Sequence, residues 1–533
     1  MDDDAPVEIE LKLLASEDAL DRLGRHPTVR HLAIGRAATR HLHSIYWDTP
    51  SQALHAAGLL LRTRRIGRHW VQTLKQENVD GRSGGLERRG EWELPIAGEA
   101  PEPRALADTP LAEVLEAQGA DVRLVPLFAT DFRRTTRQLK TRAGDEIELA
   151  LDRGQVTGAA GKAPICEAEL ELKRGRPVAL FELARELARD LPLKVGRDAK
   201  SVRGFRLGEA APPTPMRANG VSLDPAMTAA DAFAAVARQC LDQLHGNETP
   251  VIDASANGPG DGEAVHQMRV GLRRLRAAIS LFGPAVRTEQ TQAIRAEAKW
   301  LAGELGEARD LDVLLAQGVS EVRAALPGED GLWALSEDLD AARGDAYGRA
   351  VAAVSDARFT DLLLATGAWI EGRGYLGSAE ALERPVADFA NDLLHRRHRK
   401  LMRAAADLGA LDEPERHRLR IRVKKQRYAA EFFRSLYAER RAARYVKGLA
   451  RLQEALGELN DAVTARRVLK DRIDHLERAG SNRVGELRHA AGLVVGWQAR
   501  EAGRRWRKLV EEWGDQRRLR RFWPKPESEE ANP

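Results

Sequence analysis

The hydrophobic period of the chain changes near residue 210, and this change constrains the fold more than any other feature. Before it, short segments such as EIELKLL, GEWELP and EAELELKRG alternate apolar and charged residues between Gly and Pro. That period of two predicts β-strands. After it, long segments rich in Ala, Leu, Arg and Glu place apolar residues three or four positions apart, which predicts helices. We therefore expect a mostly antiparallel strand domain with a few helices (α+β), followed by an all-α domain.

The boundary between the two patterns is the segment EAAPPTPMRANGVS, which holds three prolines and shows no periodicity. We interpret it as a linker. The end of the chain, PKPESEEANP, is expected to be disordered. The predicted divisions are a first domain at residues 1–207, a linker at 208–225, a helical domain at 226–523 and a tail at 524–533.

Composition narrows the class of protein. Lys and Arg number 84 against 80 Asp and Glu, and a net charge of only +4 argues against a uniformly basic coat for nucleic acid. The two cysteines, Cys166 and Cys240, provide no disulfide framework and suit a reducing compartment. The start of the chain is acidic and unlike a signal peptide, and no run of about 20 apolar residues occurs. We therefore expect a cytoplasmic protein without a membrane span.

The helical half repeats itself at one constant offset of 151 residues. The segment VHQMRVGLRRLRAAISLF at 265–282 resembles RHRLRIRVKKQRYAAEFF at 416–433. The same offset places LAGELGEARD at 301–310 on LQEALGELND at 452–461 without a gap. Two separate matches at one offset predict an internal duplication. The expected repeats cover about 226–375 and 376–523.

Each repeat carries a stripe of basic residues spaced three and four apart, directly beside an apolar stripe. One Arg-rich helix face is ordinarily solvated and ion-paired, but two such faces related by a pseudo-two-fold axis would suit a long polyanion. Nucleic acid is the competing ligand, and the lack of aromatic residues between the basic ones argues against it. The stripes are His266, Arg269, Arg273 and Arg276 in the first repeat and His417, Arg420, Lys424 and Arg427 in the second.

These motifs resemble a CHAD domain over roughly residues 226–515. The resemblance is carried by H-x-x-R-[VI]-x-x-[RK]-[RK]-x-R, by its repeat, and by the LG-x-x-RDLD and LG-x-LNDA segments, all in order. It implies an all-helical, internally duplicated domain that binds inorganic polyphosphate through the eight stripe residues. One departure is Gln426, where related sequences usually have Leu, and we expect it to weaken an apolar contact.

The strands of the first domain carry charges on one face. In EIELK, Glu8, Glu10 and Lys12 point one way while the apolar residues between them point the other. Such faces ordinarily point to water in a half-buried sheet. Closing the sheet into a barrel would instead enclose both signs of charge, as a metal–polyphosphate complex requires. The same pattern pairs Arg62 with Arg64, Thr73 with Lys75, Glu91 with Glu93, and Glu167 with Glu169 and Glu171.

The first domain resembles the CYTH superfamily, the triphosphate tunnel metalloenzymes, over about residues 5–207. The motifs that carry the resemblance are E-x-E-x-K, YWDTP, LRTR, GEWEL, E-x-E-x-E and DAKSVRGF, all in the expected order. It implies an eight-stranded antiparallel tunnel that binds triphosphate with Mg2+ or Mn2+. A CYTH domain followed by a CHAD domain is similar to the bacterial inorganic triphosphatases of two-domain form.

The resemblance and the placement of charge together suggest roles for individual residues. One metal would bridge phosphate oxygens, and a second metal or a carboxylate would orient the attacking water. No covalent nucleophile is expected. The expected catalytic residues are Glu8, Glu10, Lys12 and Lys200, the substrate ligands Arg62, Arg64, Lys75, Arg133 and Arg203, and the metal ligands Glu8, Glu10, Glu167 and Glu169. Weaker candidates are Glu91, Glu93, Arg137, Glu148 and Asp152, and Glu171 is left open as a metal ligand.

The leading hypothesis is a hydrolase that converts inorganic triphosphate to diphosphate and phosphate, with a helical domain that retains polyphosphate. Two alternatives stay open. The chain could be a non-catalytic binding protein associated with polyphosphate granules, or a tunnel enzyme acting on an organic triphosphate, that is, a nucleoside or thiamine triphosphatase or an adenylate cyclase. The expected partners are inorganic triphosphate and polyphosphate, without a membrane and without nucleic acid.

Overall fold

The structure is a computed structural model of the chain, and it forms two compact units. The first unit comprises residues 1–214 and 356–374, and the second comprises 215–355 and 375–533. The predicted disordered tail lies outside the described residues, apart from Pro524. The described residues are 7–76, 86–119, 123–209, 214–256, 262–377, 382–516 and 520–524.

Eight antiparallel strands close into a barrel in the first unit, which confirms the predicted tunnel architecture. The strands, with a two-residue ninth one, are β1 (Val7–Leu14), β2 (Ala33–Asp48), β3 (Leu59–Ile66), β4 (His69–Gln76), β5 (Leu86–Ile96), β6 (Val125–Lys140), β7 (Glu146–Gly158), β8 (Gly161–Arg174) and β9 (Lys194–Val195). Their order is β5-β4-β3-β2-β6-β7-β8-β1, and pairing of β1 with β5 closes the ring. The short strand β9 pairs with the end of β1.

Both faces of β1 are buried, so its charged face does not lie against bulk water. Leu11 and Leu13 on the outer face are fully buried. Glu10 and Lys12, which alternate with them, are only 7% and 2% exposed. The charged face therefore points into the lumen of the barrel, and the ordinary interpretation of a sheet with its charged side in solvent is wrong for this strand.

Short helices flank the barrel, and one of them covers an apolar part of its lumen. Tyr46, Phe128 and Phe132 belong to a buried cluster on inward-facing strand positions, and Phe205 of the sixth helix packs against it. Ser16 caps the first helix by accepting a hydrogen bond from the Ala19 amide, as its sequence predicts. These helices are α1 (Glu17–Gly24), α2 (Pro27–Leu32), α3 (Ala53–Ala56), α4 (Pro110–Gln118), α5 (Val178–Asp190) and α6 (Lys200–Glu209).

In the part of the second unit that the structure describes, the regular elements are helices, as predicted, and one isolated β-bridge joins Thr228 to Pro385. The helices that follow the linker are α7 (Ala229–His245), α8 (Glu248–Ala256), α9 (Glu263–Phe282), α10 (Glu289–Glu304), α11 (Gly306–Val313), α12 (Ser320–Ala325), α13 (Asp330–Ser355), α14 (Ala357–Glu371), α15 (Val386–Ala404), α16 (Glu413–Phe433), α17 (Glu439–Arg478) and α18 (Val484–Gln516). In the first repeat α10 and α11 are separate, and a π-helical turn (Leu314–Val319) follows them, whereas in the second repeat the 40-residue helix α17 covers the matching sequence.

One of these later helices, α14, belongs to the first unit. It packs on α5, where a Cβ at Gly367 would lie 2.2 Å from the Phe181 ring. Arg185 of α5 pairs with Asp361 of α14 at 2.5 Å. This segment was expected to lie in the first helical repeat, because an amphipathic pattern does not reveal which surface a helix covers.

The predicted linker begins inside α6, which includes Gly208 and Glu209. Its other described residues, 214–225, are not helical, and Leu223 among them packs within the second unit. The Leu223 amide donates to Ser435 Oγ at 3.0 Å, and the Leu223 side chain is 4% exposed. Every helix among the described residues is too short or too polar to span a bilayer.

Candidate functional site

Three carboxylates meet inside the barrel around one ammonium group. Asp152 lies on β7, Glu167 and Glu169 lie on β8, and oxygens of all three lie within 4.8 Å of one another. Lys200, the first residue of α6, places Nζ 2.7 Å from Asp152, 2.5 Å from Glu167 and 2.7 Å from Glu169. All four side chains are buried. We call Asp152, Glu167 and Glu169 the carboxylate cluster.

Two arginines complete the charge balance of the carboxylate cluster. Arg134 of β6 donates to both oxygens of Asp152, at 2.8 and 2.6 Å, and also contacts Glu169. Arg203 contacts Glu167. Burial alone would raise the pKa of Glu169, but the charges of Lys200, Arg134 and Lys12 lower it well below its ordinary value.

The predicted substrate ligand Arg133 is not in the lumen, because the assumed register of β6 was wrong by one residue. Arg133 is exposed, and its neighbour Arg134 points inward. The weaker candidate Arg137 is an odd number of positions from Arg134 and lies on the outer face with Arg133. The run DFRRTTRQ holds three arginines distributed over both faces of the strand, so no local pattern distinguishes the inward face.

The E-x-E-x-K strand contributes a second group of charges to the lumen. Lys75 Nζ of β4 lies 2.5 Å from Glu8 and 3.3 Å from Glu91, and Arg62 lies 3.4 Å from Glu91. Burial would raise the pKa of Glu91, but Lys75 and Arg62 lower it.

Lys12 links this group to the carboxylate cluster. Its Nζ lies 3.9 Å from Glu10 and 3.6 Å from Glu169. The structure therefore brings the predicted metal ligands together as two adjacent sets, and it adds Asp152, which the sequence ranked lower, to one of them.

Arg64 differs from the other lumenal cations because no described carboxylate pairs with it. Its Nε donates to Ser44 Oγ at 2.9 Å. Burial and the positive charges of Arg62 and Arg134 lower the pKa of Arg64 to about 9. A half-buried guanidinium among other positive charges is costly unless an anion binds to it.

The sequence analysis did not single out Tyr46 as a site residue, although it lies among these cations. The side chain is 4% exposed and stacks on Phe128 at 4.5 Å. Burial would raise the pKa of the phenol, but Arg62, Arg64 and Lys200 lower it. Thr130 Oγ1 and Arg62 Nε, both buried, have no hydrogen-bond partner among the described residues. This part of the lumen therefore presents unused donors.

Three of the weaker candidate residues, Glu93, Glu148 and Glu171, pair with nearby side chains. Glu148 accepts a hydrogen bond from Gln138 at 2.6 Å, and Glu93 accepts one from Thr73 at 3.3 Å. Glu171 contacts Lys173, while burial and the charges of Glu8 and Glu148 raise the pKa of Glu171.

In the second unit, residues of both basic stripes line one cavity of about 550 Å³, which we call the basic groove. Arg309 also lines it, and sequence reasoning missed this residue even though it stands in the quoted LG-x-x-RDLD segment. Five of the eight predicted residues line the groove: His266, Arg269, Arg273, Arg420 and Lys424. The other three do not line it: Arg276, His417 and Arg427.

Burial and neighbouring positive charges lower the pKa values of two residues in the basic groove. Burial, Arg420 and Arg273 lower the pKa of Lys424 to about 8. Burial, Arg309 and Arg273 lower the pKa of His266 to about 4, so this ring is neutral at pH 7. Asp461 lies in the same groove, and burial raises the pKa of its carboxyl.

Comparison with known proteins gives two matches to family models. The CYTH domain model matches residues 7–205, and the CHAD domain model matches 235–470. A crystal structure of the CHAD domain from the plant Ricinus communis is 32% identical, with a TM-score of 0.50. That match covers 58% of this chain and 99% of the plant chain.

Two further proteins are similar at lower identity. An uncharacterised Mycobacterium tuberculosis protein is 27% identical over 496 residues, which cover 87% of this chain and 88% of that protein. The Hippeastrum protein HpAC1, whose structure is described as revealing a dominant triphosphatase activity, is 21% identical with a TM-score of 0.27. That match covers 37% of this chain and 96% of the Hippeastrum chain. The chain belongs to the CYTH and CHAD families, with a CYTH domain first and a CHAD domain after it.

Proposed function

We propose that the CYTH domain hydrolyses inorganic triphosphate to diphosphate and phosphate with Mg2+ or Mn2+, and that the CHAD domain binds inorganic polyphosphate. One observation carries the proposal. Arg64 is half-buried on the lumenal face of a closed barrel, beside other cations and without a carboxylate partner among the described residues. An anion with many charges is the ligand that offsets this arrangement.

The lumenal cations would hold the phosphate chain. Guanidinium groups bind phosphate oxygens in pairs, and an ammonium group acts as a point charge. Because burial weakens solvent screening, these groups would stabilise negative charge on the leaving diphosphate. The proposed phosphate ligands are Lys12, Arg62, Arg64, Lys75, Arg134, Lys200 and Arg203, with Tyr46 and Thr130 as hydrogen-bond donors.

The carboxylate residues fit a hard divalent cation. Oxygens of Asp152, Glu167 and Glu169 lie within 4.8 Å of one another, and carboxylate oxygen is the ligand that Mg2+ and Mn2+ prefer. We propose that these residues, together with the adjacent Glu8 and Glu10, hold the metal. When bound, the metal would neutralise phosphate charge and act as a Lewis acid.

Direct attack by water fits the residues better than a covalent intermediate. Of the two cysteines, Cys166 has a pKa that burial raises, which disfavours the nucleophilic thiolate, and Cys240 lies outside the barrel unit. Glu8 and Glu10 border the lumenal cations, so either carboxylate could orient a water in line with the scissile bond.

The basic groove supports the polyphosphate half of the proposal. Arg269, Arg273 and Arg309 from the first repeat face Arg420 and Lys424 from the second across one cavity. Arg420 Nε and Arg269 Nε have no hydrogen-bond partner among the described residues. A linear phosphate chain places one charge per unit along such a double row without needing base recognition.

A substrate panel on the full chain tests the catalytic proposal. Phosphate release would be measured for inorganic triphosphate, ATP and thiamine triphosphate during titration with Mg2+ and Mn2+. We expect inorganic triphosphate to be hydrolysed fastest, and only with metal. Binding without release at any metal concentration would instead favour the non-catalytic alternative, and preference for an organic substrate would favour the other tunnel activities.

A further inference from the structure

A second cavity lies beside the basic groove, between α16, α17 and α18. Its volume is about 380 Å³. Apolar residues form much of its lining, and one of them, Val463, is 53% exposed. Pockets of roughly 300–1,000 Å³ with apolar walls and a few polar groups are typical of small-molecule sites. The apolar lining residues are Leu456, Leu459, Ala462, Val463, Val495, Ala499 and Ala502.

The duplication supplies an internal comparison, because the matching region of the first repeat is lined by different residues. At the offset of 151 residues, Val463 corresponds to Asp312 and Glu413 to Gly262. Tyr347 of α13 donates to Asp312 Oδ2 at 2.9 Å and is 2% exposed. A Cβ at Gly262 would lie 2.3 Å from Asp312 and 3.2 Å from the Tyr347 hydroxyl. Asp312 also lines a cavity of about 510 Å³ in the first repeat, and with Glu337 and Asp340 it gives that cavity three carboxylates where the cavity of the second repeat has one.

The polar side of the cavity favours an anion. Arg416, His417 and Arg466 line it, against one carboxylate, Glu413. Arg420 and Asn460 line both this cavity and the basic groove. The two cavities therefore share a wall, and a ligand could place an apolar group in one and a chain of phosphates in the other.

We propose that the CHAD domain binds a nucleoside polyphosphate across this wall, with the base in the 380 Å³ cavity and the phosphates in the basic groove. The inference rests on the proposed binding of phosphate chains in the groove. A base fits better than an alkyl chain, because Glu413 and Asn460 offer hydrogen bonds to a polar ring edge.

Displacement of fluorescently labelled polyphosphate from the full chain tests the proposal, with EDTA present to prevent metal-dependent turnover. Adenosine tetraphosphate should displace the label at roughly 10-fold lower concentration than inorganic tetraphosphate, since a buried organic group of this size adds more than about 1.4 kcal/mol. Ala499→Trp, which fills the cavity, should abolish that advantage and leave displacement by inorganic tetraphosphate unchanged. Ala499→Leu is a smaller filling variant in case the Trp variant fails to fold.

Gly492→Trp is the matched control, because Gly492 lies on the same helix and a Cβ added there would have nothing within 4 Å. It should retain the advantage of the adenosine compound. Equal displacement by the two tetraphosphates, or an advantage that survives both filling variants, would overturn the inference and leave polyphosphate binding intact. Failure of the wild-type chain to bind the label at all would instead overturn the proposed function of the groove.

Discussion

Lys200 Nζ lies 2.7 Å from Asp152 Oδ2, and this contact joins the start of α6 to the middle of β7 inside the barrel. The same ammonium contacts Glu167 and Glu169. A residue next to the end of the CYTH domain thus neutralises carboxylates from two strands. Because buried like charges repel each other strongly, we expect Lys200 to stabilise the carboxylate cluster together with Arg134 and Arg203.

Lys200→Met should destabilise the CYTH domain in the absence of divalent metal. The variant leaves buried carboxylates without their ammonium partner, at a cost of roughly 3–5 kcal/mol. Mg2+ should restore much of the stability by binding the carboxylate cluster, while phosphate release stays low because a phosphate ligand is lost. Thermal unfolding with EDTA and with Mg2+ measures the effect.

Lys162→Met provides the control, since Lys162 is exposed on β8. It should leave both the unfolding temperature and its response to Mg2+ unchanged. A Lys200→Met chain that unfolds like the wild type in EDTA would contradict the assigned role of Lys200.

Arg64→Gln should weaken triphosphate binding without loss of stability. Arg64 has no described carboxylate partner to leave unpaired, so removing its charge relieves repulsion from Arg62 and Arg134. Loss of one charged hydrogen bond to phosphate costs about 1.5–3 kcal/mol, or roughly 10- to 100-fold in KM. Arg65→Gln, at an exposed position of the same strand, is the control. A destabilised Arg64→Gln chain with normal KM would show that Arg64 is structural.

Arg134→Gln should lower phosphate release by roughly 100-fold or more, whereas Arg133→Gln should have little effect. Arg134 contacts two lumenal carboxylates and borders the proposed phosphate site, but Arg133 is exposed. Steady-state rates of phosphate release measured for both variants compare two adjacent arginines, one that is exposed and one that points into the lumen. Equal losses in both would contradict the strand register.

This pair of arginines shows what the sequence could and could not predict. Alternation identified the charged face of β1, because apolar residues alternate strictly with charged ones there from Val7 to Leu13. In β6, polar residues occupy both faces, so the pattern did not define the register. Asp152 was ranked too low because its importance comes from Glu167 on the paired strand, a contact between strands that no local pattern reveals.

In the helical half, the duplication predicted the two basic stripes and five of the residues that line the groove. It could not predict that α14 packs on α5, nor that His417 lines a separate cavity. The departure at Gln426 was expected to weaken an apolar contact. The structure shows instead that the buried Gln426 Nε2 donates to the Tyr445 hydroxyl at 3.0 Å, a polar pairing that requires knowledge of the neighbouring helix.

Polyphosphate affinity should fall as the pH rises above about 8. Burial, Arg420 and Arg273 lower the pKa of Lys424 to about 8, so the free protein loses this charge above that pH. A polyanion binds the charged form, and linkage limits the effect of one group to about tenfold per pH unit. Lys424→Arg, which stays charged, should remove the dependence. Affinity measured from pH 7 to pH 9.5 on both chains checks this, and an unchanged profile in the variant would contradict it.

The central claim is that acidic and basic side chains enclosed by the barrel hydrolyse inorganic triphosphate. The most direct test is to measure phosphate release by the full-length Glu8→Ala/Glu10→Ala variant. We predict that the wild-type chain releases phosphate only with Mg2+ or Mn2+, and that the double variant loses at least about 100-fold of this rate while it still binds polyphosphate. Wild-type turnover in the double variant, or no turnover by the wild type at any metal concentration, would contradict the account.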